Sequence, residues 1–445
     1  MPTPIRTRDR DTLIQALRAG VVPRVGQHLV QVGRTKEIET LLKDIDRIAD
    51  GGTAFRLVIG EYGSGKTFFL NLIRAIALER KLVATTADLN PDRRLHASGG
   101  QARSLYAELA KNLATRTKPE GGALQGIVEK FIFTATTEAK VEAVGVDVVI
   151  QRKLSRLAEM VNGYDFAHVI EAYWRGHQGG REQLKTDAVR WLRGEFTTKT
   201  EARAALGVRT IVEDGTIYDQ IKLLSLFVRL AGFSGLLICL DELVNLYKLS
   251  NSQARNSNYE QILRILNDVL QGSVEGLGFA LGGTPEFLMD TRRGLYSYSA
   301  LLSRLAENTF AKNGLVDYDH PVLRLASLSQ EDFLVLLHKI HHVYAQGDVS
   351  RYLLPEEAIT SFMIHCHQKI GEAYFRTPRT TITAFVNLLA VLEQNPGAEW
   401  QGLLGQVAIH RDTGGVSDLQ VEEGLTPRPE ATGTSDDEFT SFSLN

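Results

Sequence analysis

The sequence predicts an α/β fold built on a parallel β-sheet, with a large helical insertion and a C-terminal helical lid. Apolar runs of strand length alternate with stretches of helical spacing, which is typical of a parallel sheet covered by helices. Between about residues 115 and 218 the strand pattern fades and helical spacing takes over. From residue 329 to about 393 the pattern is again helical, which predicts the lid.

Composition supports a soluble protein without an overall attraction to nucleic acid. The chain has 445 residues, of which 43% are hydrophobic and 23% charged, as in ordinary globular proteins. The net charge of -3 supplies no general positive field, so a DNA contact would need a local patch or an assembly. No apolar run reaches the length of a membrane span, and the start MPTPIRTRDRD leads into no apolar segment. We therefore expect a cytoplasmic protein that does not enter a membrane.

The first half of the α/β pattern follows a helical lead-in at residues 1–31. VGRTKEIETLL places Gly33 and Arg34 just before an amphipathic helix. A strand at residues 55–59, a glycine-rich loop and a helix at residues 67–79 come next. LVATTADLN predicts a second strand that ends in Asp88, and a helix over residues 102–114 follows it.

After the insertion the α/β pattern resumes and completes a core domain over residues 32–320. A helix at residues 219–231 precedes GLLICLDE, the most apolar strand of the chain. LSNSQARNSN reads as a polar loop before the helix YEQILRILNDVLQG, and GFALGGTPE predicts a further strand. The lid domain covers residues 321–411, and the acid-rich residues 412–445 are expected to be disordered.

GEYGSGKT, at residues 60–67, has the pattern of a phosphate-binding loop. Its glycines let the backbone wrap a phosphate chain, while the following helix adds partial positive charge. Lys66 would reach the β and γ phosphates of ATP, and the Thr67 hydroxyl would bind Mg²⁺. The alternative is a glycine-rich turn between strand and helix. The predicted nucleotide-contacting residues are Gly60, Glu61, Tyr62, Gly63, Ser64, Gly65, Lys66, Thr67, Phe68 and Arg34.

LLICLDE delivers two carboxylates to the end of a buried strand. Asp241 would hold the metal, directly or through water, and Glu242 would orient and deprotonate the attacking water. An Asp-Glu pair also suits the start of a helix, because Asp is a good N-cap and Glu is common in the first turn. Together with the phosphate loop, the pair predicts a P-loop nucleoside triphosphatase.

Three further residues are candidates for sensing or stabilising the γ-phosphate. Thr284 ends the strand GFALGG, where it would hold the lytic water, or would only cap the next helix. Arg304 would reach the γ-phosphate of a neighbouring subunit, or would simply face solvent. Arg376 and Arg379 start a C-terminal helix, where either could reach back to the phosphates; Arg379 is the preferred contact, or it would only cap the helix.

These motifs resemble those of the AAA+ ATPases, especially the origin-recognition clade. VGRTKEIETLL is similar to the lead-in box, GEYGSGKT to Walker A, LLICLDE to Walker B, GGTPE to sensor 1, LLSRL to the arginine-finger region and RTPRTTITAF to sensor 2. Together they span residues 32–392. The long helical block, the LDEL continuation and RTPR further resemble the BrxD-type ATP-binding proteins of BREX phage-defence loci.

The resemblance implies roles for individual residues. Lys66 and Thr67 would bind phosphates and Mg²⁺, Asp241 the metal, and Glu242 would be the base, while Thr284, Arg304 and Arg379 would be sensor, finger and lid residues. The sequence departs from the family in the long separation of the two Walker motifs. No winged-helix pattern follows the lid, so the DNA contact that relatives make there is not carried over.

Three functional hypotheses follow. The first is a Mg²⁺-dependent ATPase that forms a homo-oligomer on ATP or double-stranded DNA and works with a helicase or other defence proteins in loading or remodelling. The second is a slow nucleotide switch or scaffold that recruits partners. The third is a metabolic phosphoryl-transfer enzyme, for which the sequence reveals no small-molecule acceptor site.

Overall fold

Five parallel β-strands form a single sheet. The computed structural model describes residues 5–311 and 315–406. The order across the sheet is β2-β3-β4-β1-β5, and every pairing is parallel, as the sequence predicts. The strands are β1 (Thr53–Ile59), β2 (Val83–Asp88), β3 (Leu236–Asp241), β4 (Leu277–Gly283) and β5 (Val322–Arg324).

Helices cover the sheet and fill the intervals between its strands. The first five are α1 (Thr7–Arg18), α2 (Gln27–Val30), α3 (Thr35–Ala49), α4 (Lys66–Glu79) and α5 (Gln101–Lys111). The next six are α6 (Leu124–Glu142), α7 (Val146–Ala158), α8 (Gly163–Gln178), α9 (Glu182–Leu192), α10 (Lys199–Leu206) and α11 (Ile217–Leu230). Four lie among the later strands: α12 (Val244–Tyr247), α13 (Ser252–Leu270), α14 (Pro285–Met289) and α15 (Ser299–Leu305). The last five are α16 (Gln330–Tyr344), α17 (Glu356–Ile370), α18 (Ala373–Arg376), α19 (Arg379–Gln394) and α20 (Trp400–Leu404).

The strand order fixes where the predicted site residues meet. β4 lies between β1, which leads into the glycine loop, and β3, which ends in Asp241. Because the strands are parallel, their carboxyl ends share one edge of the sheet, the edge where ligands bind in open α/β folds. The loop and the two acids therefore face the same space.

Residues 112–216 are helical where they are regular, and they pack on the sheet domain. Their core is aromatic: the Phe131 and Phe227 rings lie 5.2 Å apart, Phe166 lies 5.6 Å from Phe227, and Trp191 lies 6.1 Å from Phe166. Phe227 belongs to α11, which precedes β3. Offset and edge-on contacts of this kind favour one packing arrangement. The helical block is thus continuous with the core on one side of the sheet.

A separate hydrophobic core joins the two ends of the described chain. Leu13 and Leu17 of α1 are buried with Phe333 of α16 and Phe385 of α19. The Thr383 hydroxyl donates to the carbonyl oxygen of Leu17 at 3.1 Å. The helix α1, predicted as part of a lead-in, packs on the C-terminal helices.

Three local predictions need correction. LSNSQARNSN is not a loop throughout, because α13 begins at Ser252 within it. The helix predicted over residues 102–114 ends at Lys111. The short strand β5 was not predicted at all, since three residues carry little periodicity.

Polar residues at the start of α13 have hydrogen-bond partners that the sequence does not reveal, which explains why this stretch was predicted to be a loop. Asn258 is fully buried; its amide oxygen accepts from the backbone N–H of His96 at 2.9 Å, and its amide nitrogen donates to the His96 carbonyl at 3.0 Å. Asn251 caps the helix by accepting from the N–H of Ala254 at 3.0 Å. A polar stretch is therefore helical here because tertiary partners satisfy its side chains.

Both cysteines, Cys239 and Cys366, are buried free thiols. Within the described part of the chain, no helix combines the length and apolar character that crossing a membrane requires. The tail predicted at residues 412–445 lies outside the described residues.

Candidate nucleotide-binding site

The glycine loop occupies residues 60–65 between the end of β1 and the start of α4. Gly63 and Gly65 have φ of 74° and 85°, in the left-handed region that favours glycine. A Cβ at Gly60 would lie 2.6 Å from the Ser64 hydroxyl. The loop conformation therefore requires glycine at the positions that the motif fixes, and its backbone opens onto the N-terminus of α4.

Lys66 and Thr67 begin α4 and face the loop and β3. The Lys66 ammonium donates to the carbonyl oxygens of Gly60 at 2.9 Å and Glu61 at 2.8 Å. Burial lowers the pKa of Lys66, an effect that the nearby Asp241 and Glu242 partly oppose. The Thr67 hydroxyl donates to Asp241 Oδ2 at 2.5 Å. The phosphate-loop helix and the acid strand are thus in direct contact.

The acid pair lies at the carboxyl end of β3. Asp241 is 7% exposed, and its Oδ1 accepts from the backbone N–H of Glu242 at 2.8 Å. Glu242 has φ of 58°, an uncommon conformation for a residue other than glycine. Burial raises the pKa of Glu242, and the neighbouring Asp241 raises it further. The structure therefore places the Asp241 carboxylate against Thr67. Beside it lies the Glu242 carboxylate, which is more basic than usual.

Thr284 and Arg304 lie in different surroundings. Thr284 follows β4, and its hydroxyl accepts a long bond from the N–H of Phe287 at 3.4 Å, so it caps α14. Arg304 is exposed on α15, where it donates to Asn267 Oδ1 at 2.7 Å and to the Ala300 carbonyl at 2.8 Å. It does not line the cavity at the glycine loop.

Two arginines lie against the loop from opposite ends of the chain. Arg34 donates to the carbonyl oxygen of Ser64. Arg379 lies over Tyr62, with its Cζ 5.7 Å from the ring centroid and its Nη1 3.5 Å from the hydroxyl. Arg376, by contrast, is exposed and forms an ion pair with Glu372 at 2.5 Å. Of the two C-terminal arginines considered from sequence, Arg379 is the one that lies at the loop.

The loop borders a cavity of about 160 Å³. One wall is the loop with Arg34, Arg379 and Glu242, and the other walls are mainly apolar. Part of the apolar wall is the segment of residues 20–24 between α1 and α2, which we call the strap. The apolar lining was not predicted from the sequence, although the apolar run GVVP at residues 20–23 was a signal for it. These lining residues are Val21, Val22, Pro23, Leu336, Ile340 and Ile382.

Unsatisfied polar atoms at the cavity fit a polyphosphate ligand. The Ser64 hydroxyl and Arg34 Nε are both buried without a hydrogen-bond partner among the described residues. Burial also lowers the pKa of Arg34, a cost that a bound anion would offset. An apolar cavity with a few convergent polar groups suits a base at one end and phosphates at the other. ATP therefore fits the residues present.

Mg²⁺ fits the site as a companion of the nucleotide. Among residues 5–311 and 315–406, no group of three or more His, Cys, Asp or Glu side chains could hold a metal by itself. Mg²⁺ in phosphate sites usually takes one or two protein oxygens, with phosphate oxygens and water for the rest. Thr67 and Asp241 could supply the protein oxygens, and the ion would arrive with the phosphates.

The chain matches the model of a known protein family over most of its length. A family model described as "BREX system ATP-binding protein BrxC/D" matches residues 5–408, which is most of the chain. No curated protein matches the chain. The matched region includes the glycine loop, both acids and the C-terminal helices that contact the loop.

Proposed function

The chain belongs to the family of BREX system ATP-binding proteins BrxC/D, and from this premise we propose that it is a Mg²⁺-dependent ATPase of the AAA+ type. It would assemble with DNA, a helicase or other defence-system proteins and couple ATP to loading or remodelling. The observation that carries the proposal is the hydrogen bond between Thr67 and Asp241, at the edge where the glycine loop and the acid strand meet.

ATP would bind with its base in the apolar part of the cavity and its phosphates on the loop. The strap and α19 provide the apolar walls, and backbone N–H groups at the start of α4 face the phosphates. Lys66, now bonded to loop carbonyls, would exchange them for phosphate oxygens, which are stronger partners for an ammonium. Arg34 would stabilise the loop conformation through its hydrogen bond to the Ser64 carbonyl oxygen.

Hydrolysis needs a metal-bound phosphate chain and an activated water. Bound Mg²⁺ would neutralise charge that develops on the phosphates. Thr67 and Asp241 would hold it, because their oxygens already lie together. Glu242 would orient the water and accept its proton, and its raised pKa suits that role. Thr284, which follows the neighbouring strand β4, would hold the water from the other side.

The two remaining arginines would respond to the γ-phosphate from different subunits. Arg379 would move from Tyr62 to the phosphate within its own chain. Arg304 makes no ion pair with a carboxylate in the described part of the chain, and its exposed position suits a contact with the site of a neighbour. The protein would then be active as a homo-oligomer.

The helical regions have separate parts in this proposal. Residues 32–320 would form the ATPase core, with an insertion at about residues 115–218 that recruits partners. Residues 321–411, together with α1, would act as a lid, because α19 carries Arg379 and α1 packs on α19. Movement of the lid would then carry the strap with it.

A slow nucleotide switch or scaffold is the second candidate. The insertion exposes large apolar side chains that a partner could cover: Phe133 is 72% exposed, Val141 82% and Tyr164 70%. In this version the protein would bind ATP and recruit partners without rapid turnover. It differs from the first candidate in having no need for a neighbour's arginine.

The concentration dependence of turnover distinguishes the two candidates. If Arg304 acts between subunits, ATP turnover per chain should rise with protein concentration, with and without double-stranded DNA. Arg304→Ala should lower it by about 10³ or more, as for other arginine fingers, and leave ATP binding unchanged. Turnover that is independent of concentration and insensitive to Arg304→Ala would favour the switch.

A further inference from the structure

A second cavity adjoins the candidate nucleotide pocket. Its volume is about 410 Å³, and it is lined by α4, the ends of β2 and β3, the strap and the connection between α5 and α6, which contributes Glu120. Residues 60–66 of the glycine loop do not line it, whereas Thr67, Glu242 and Arg379 line both cavities. The second cavity therefore begins beside the two acids and extends away from the loop.

Arginines give one side of this cavity an unsatisfied positive charge. Arg74 of α4 donates through Nη2 to the carbonyl oxygen of Pro119, but its Nε is buried and has no hydrogen-bond partner. No carboxylate of the described residues forms an ion pair with Arg74. Burial lowers the pKa of Arg74, and the neighbouring Arg24 on the strap adds to the effect. Two guanidinium groups thus lie near each other, and neither forms an ion pair within the described part of the chain, although Glu120 also lines the cavity and opposes the lowering of the Arg74 pKa.

Uncharged and acidic groups complete the lining. Asp88 ends β2 and is paired in register with Asp241, and Asn71 lies on α4 one turn before Arg74. Neither the Asp88 carboxylate nor the Asn71 amide makes a side-chain hydrogen bond within the described part of the chain, although both line the cavity. They are available to a ligand that carries donor groups as well as negative charge.

We propose that this cavity is a second ligand site, which binds a phosphorylated small molecule of about nucleotide size. Arg74 and Arg24 would bind the phosphate, because guanidinium groups form charge-assisted and often bidentate hydrogen bonds with it. Asn71 and Asp88 would bind hydroxyl or amine groups. The volume lies in the range of about 300–1,000 Å³ that is usual for small-molecule sites.

A ligand in this cavity would control turnover. It would lie against Glu242, so it would exclude the water that Glu242 activates and slow ATP hydrolysis. This consequence rests on the proposed function, whereas binding itself does not. The sequence offered no acceptor or effector site, because the lining of this cavity comes from six separate parts of the chain.

The test is a two-step calorimetric titration of the full-length protein. The first step saturates the chain with Mg²⁺ and the non-hydrolysable analogue AMP-PNP. The second titrates ribonucleoside and deoxyribonucleoside 5′-monophosphates as probes. We expect at least one probe to bind at one per chain while AMP-PNP stays bound, and to slow ATP turnover in a parallel assay.

Variants locate the bound probe. Arg24→Ala, on the exposed strap, and Arg74→Met should each weaken probe binding about tenfold or more through loss of a charged hydrogen bond. The control Arg116→Met removes an arginine that is 64% exposed and pairs with Glu79. It should bind the probe as the unchanged protein does. All three variants should bind AMP-PNP normally, and Arg24→Ala keeps the test valid if Arg74→Met does not fold.

Three results would overturn the second site: no probe binding up to about 10 mM, probe binding that AMP-PNP abolishes, or unchanged probe affinity in both arginine variants when they fold. Probe binding without any effect on turnover would overturn the control of hydrolysis. Failure of the proposed function would instead appear in the first step, as a lack of AMP-PNP binding.

Discussion

The Thr67 hydroxyl lies 2.5 Å from Asp241 Oδ2, although 174 positions separate the two residues in the sequence. The intervening chain includes five helices of the inserted block, yet β3 lies in the same sheet as β1, with only β4 between them. An insertion of this size is therefore compatible with an intact contact between the glycine loop and the acid strand.

Gly282 on β4 makes room for this contact. A Cβ there would collide with Asp241 Oδ1 and would lie 3.0 Å from Leu70 Cδ1. We expect Gly282→Ala to displace Asp241, lower the free energy of unfolding by about 1–3 kcal/mol, and reduce ATP turnover. The matched control is Gly126→Ala, where a Cβ would meet nothing within 4 Å. Equal turnover in the two variants would contradict the positioning role of Gly282.

Arg379 should distinguish ATP from ADP. If it leaves Tyr62 for the γ-phosphate, Arg379→Ala should weaken ATP binding about tenfold through loss of one charge-assisted hydrogen bond, with little effect on ADP. Arg376→Ala removes an exposed arginine three residues away, which pairs with Glu372, and serves as the control. Fluorescence titration with both nucleotides measures the effect. A parallel loss of ATP and ADP affinity would argue against a γ-phosphate contact.

A buried ion pair stabilises the sheet far from the cavities. Arg56 of β1 donates to both carboxylate oxygens of Asp44 in α3, at 2.5 and 3.0 Å, and the side chains are 5% and 4% exposed. Arg56→Met would leave the buried Asp44 carboxylate with only the largely exposed Arg47, at 3.9 Å, so the free energy of unfolding should fall by about 3–5 kcal/mol. Arg80→Met, which breaks a half-exposed pair with Asp46, should cost about 1 kcal/mol or less. Denaturant unfolding measures the free energy of unfolding of both variants. Equal losses in the two would contradict a special stabilising role for the buried pair.

Stability should fall in acid because of His341. Burial, together with His338 and His342, lowers the pKa of His341 from 6.5 to about 4. The unfolded state therefore binds the proton first, so stability present above about pH 6.5 is lost as the pH falls towards 4. The effect is at most about 3 kcal/mol. We expect His341→Gln, which keeps an acceptor for the N–H groups of Leu353 and Leu354, to flatten this part of the stability profile. If His341→Gln loses as much stability between pH 6.5 and 4 as the unchanged protein does, His341 is not the cause of the loss.

Local motifs predicted the parts of the site that depend on neighbouring residues in sequence. The glycine loop needs left-handed backbone at Gly63 and Gly65, and Asp241 follows a fully buried strand, so both features show in short stretches. Arg34 and Arg379 were also placed at the site from sequence, and both lie against the loop.

Sequence could not predict contacts that only the tertiary fold creates. Leu17 packs with helices more than 300 residues away, and the strap reaches both cavities only because of that packing. The polar start of α13 depends in the same way on His96, a distant partner of Asn258. Local periodicity carries no information about such partners, which is why the apolar half of the pocket and the second cavity were missed.

The central claim is that Lys66 binds the phosphates and Glu242 activates the water. It is tested by measuring ATP binding and single-turnover hydrolysis side by side in Lys66→Ala and Glu242→Gln. The account predicts that Lys66→Ala loses ATP binding, whereas Glu242→Gln binds Mg²⁺-ATP as well as the unchanged protein and hydrolyses it about 10²–10⁴ times more slowly. Undiminished hydrolysis in Glu242→Gln would contradict it.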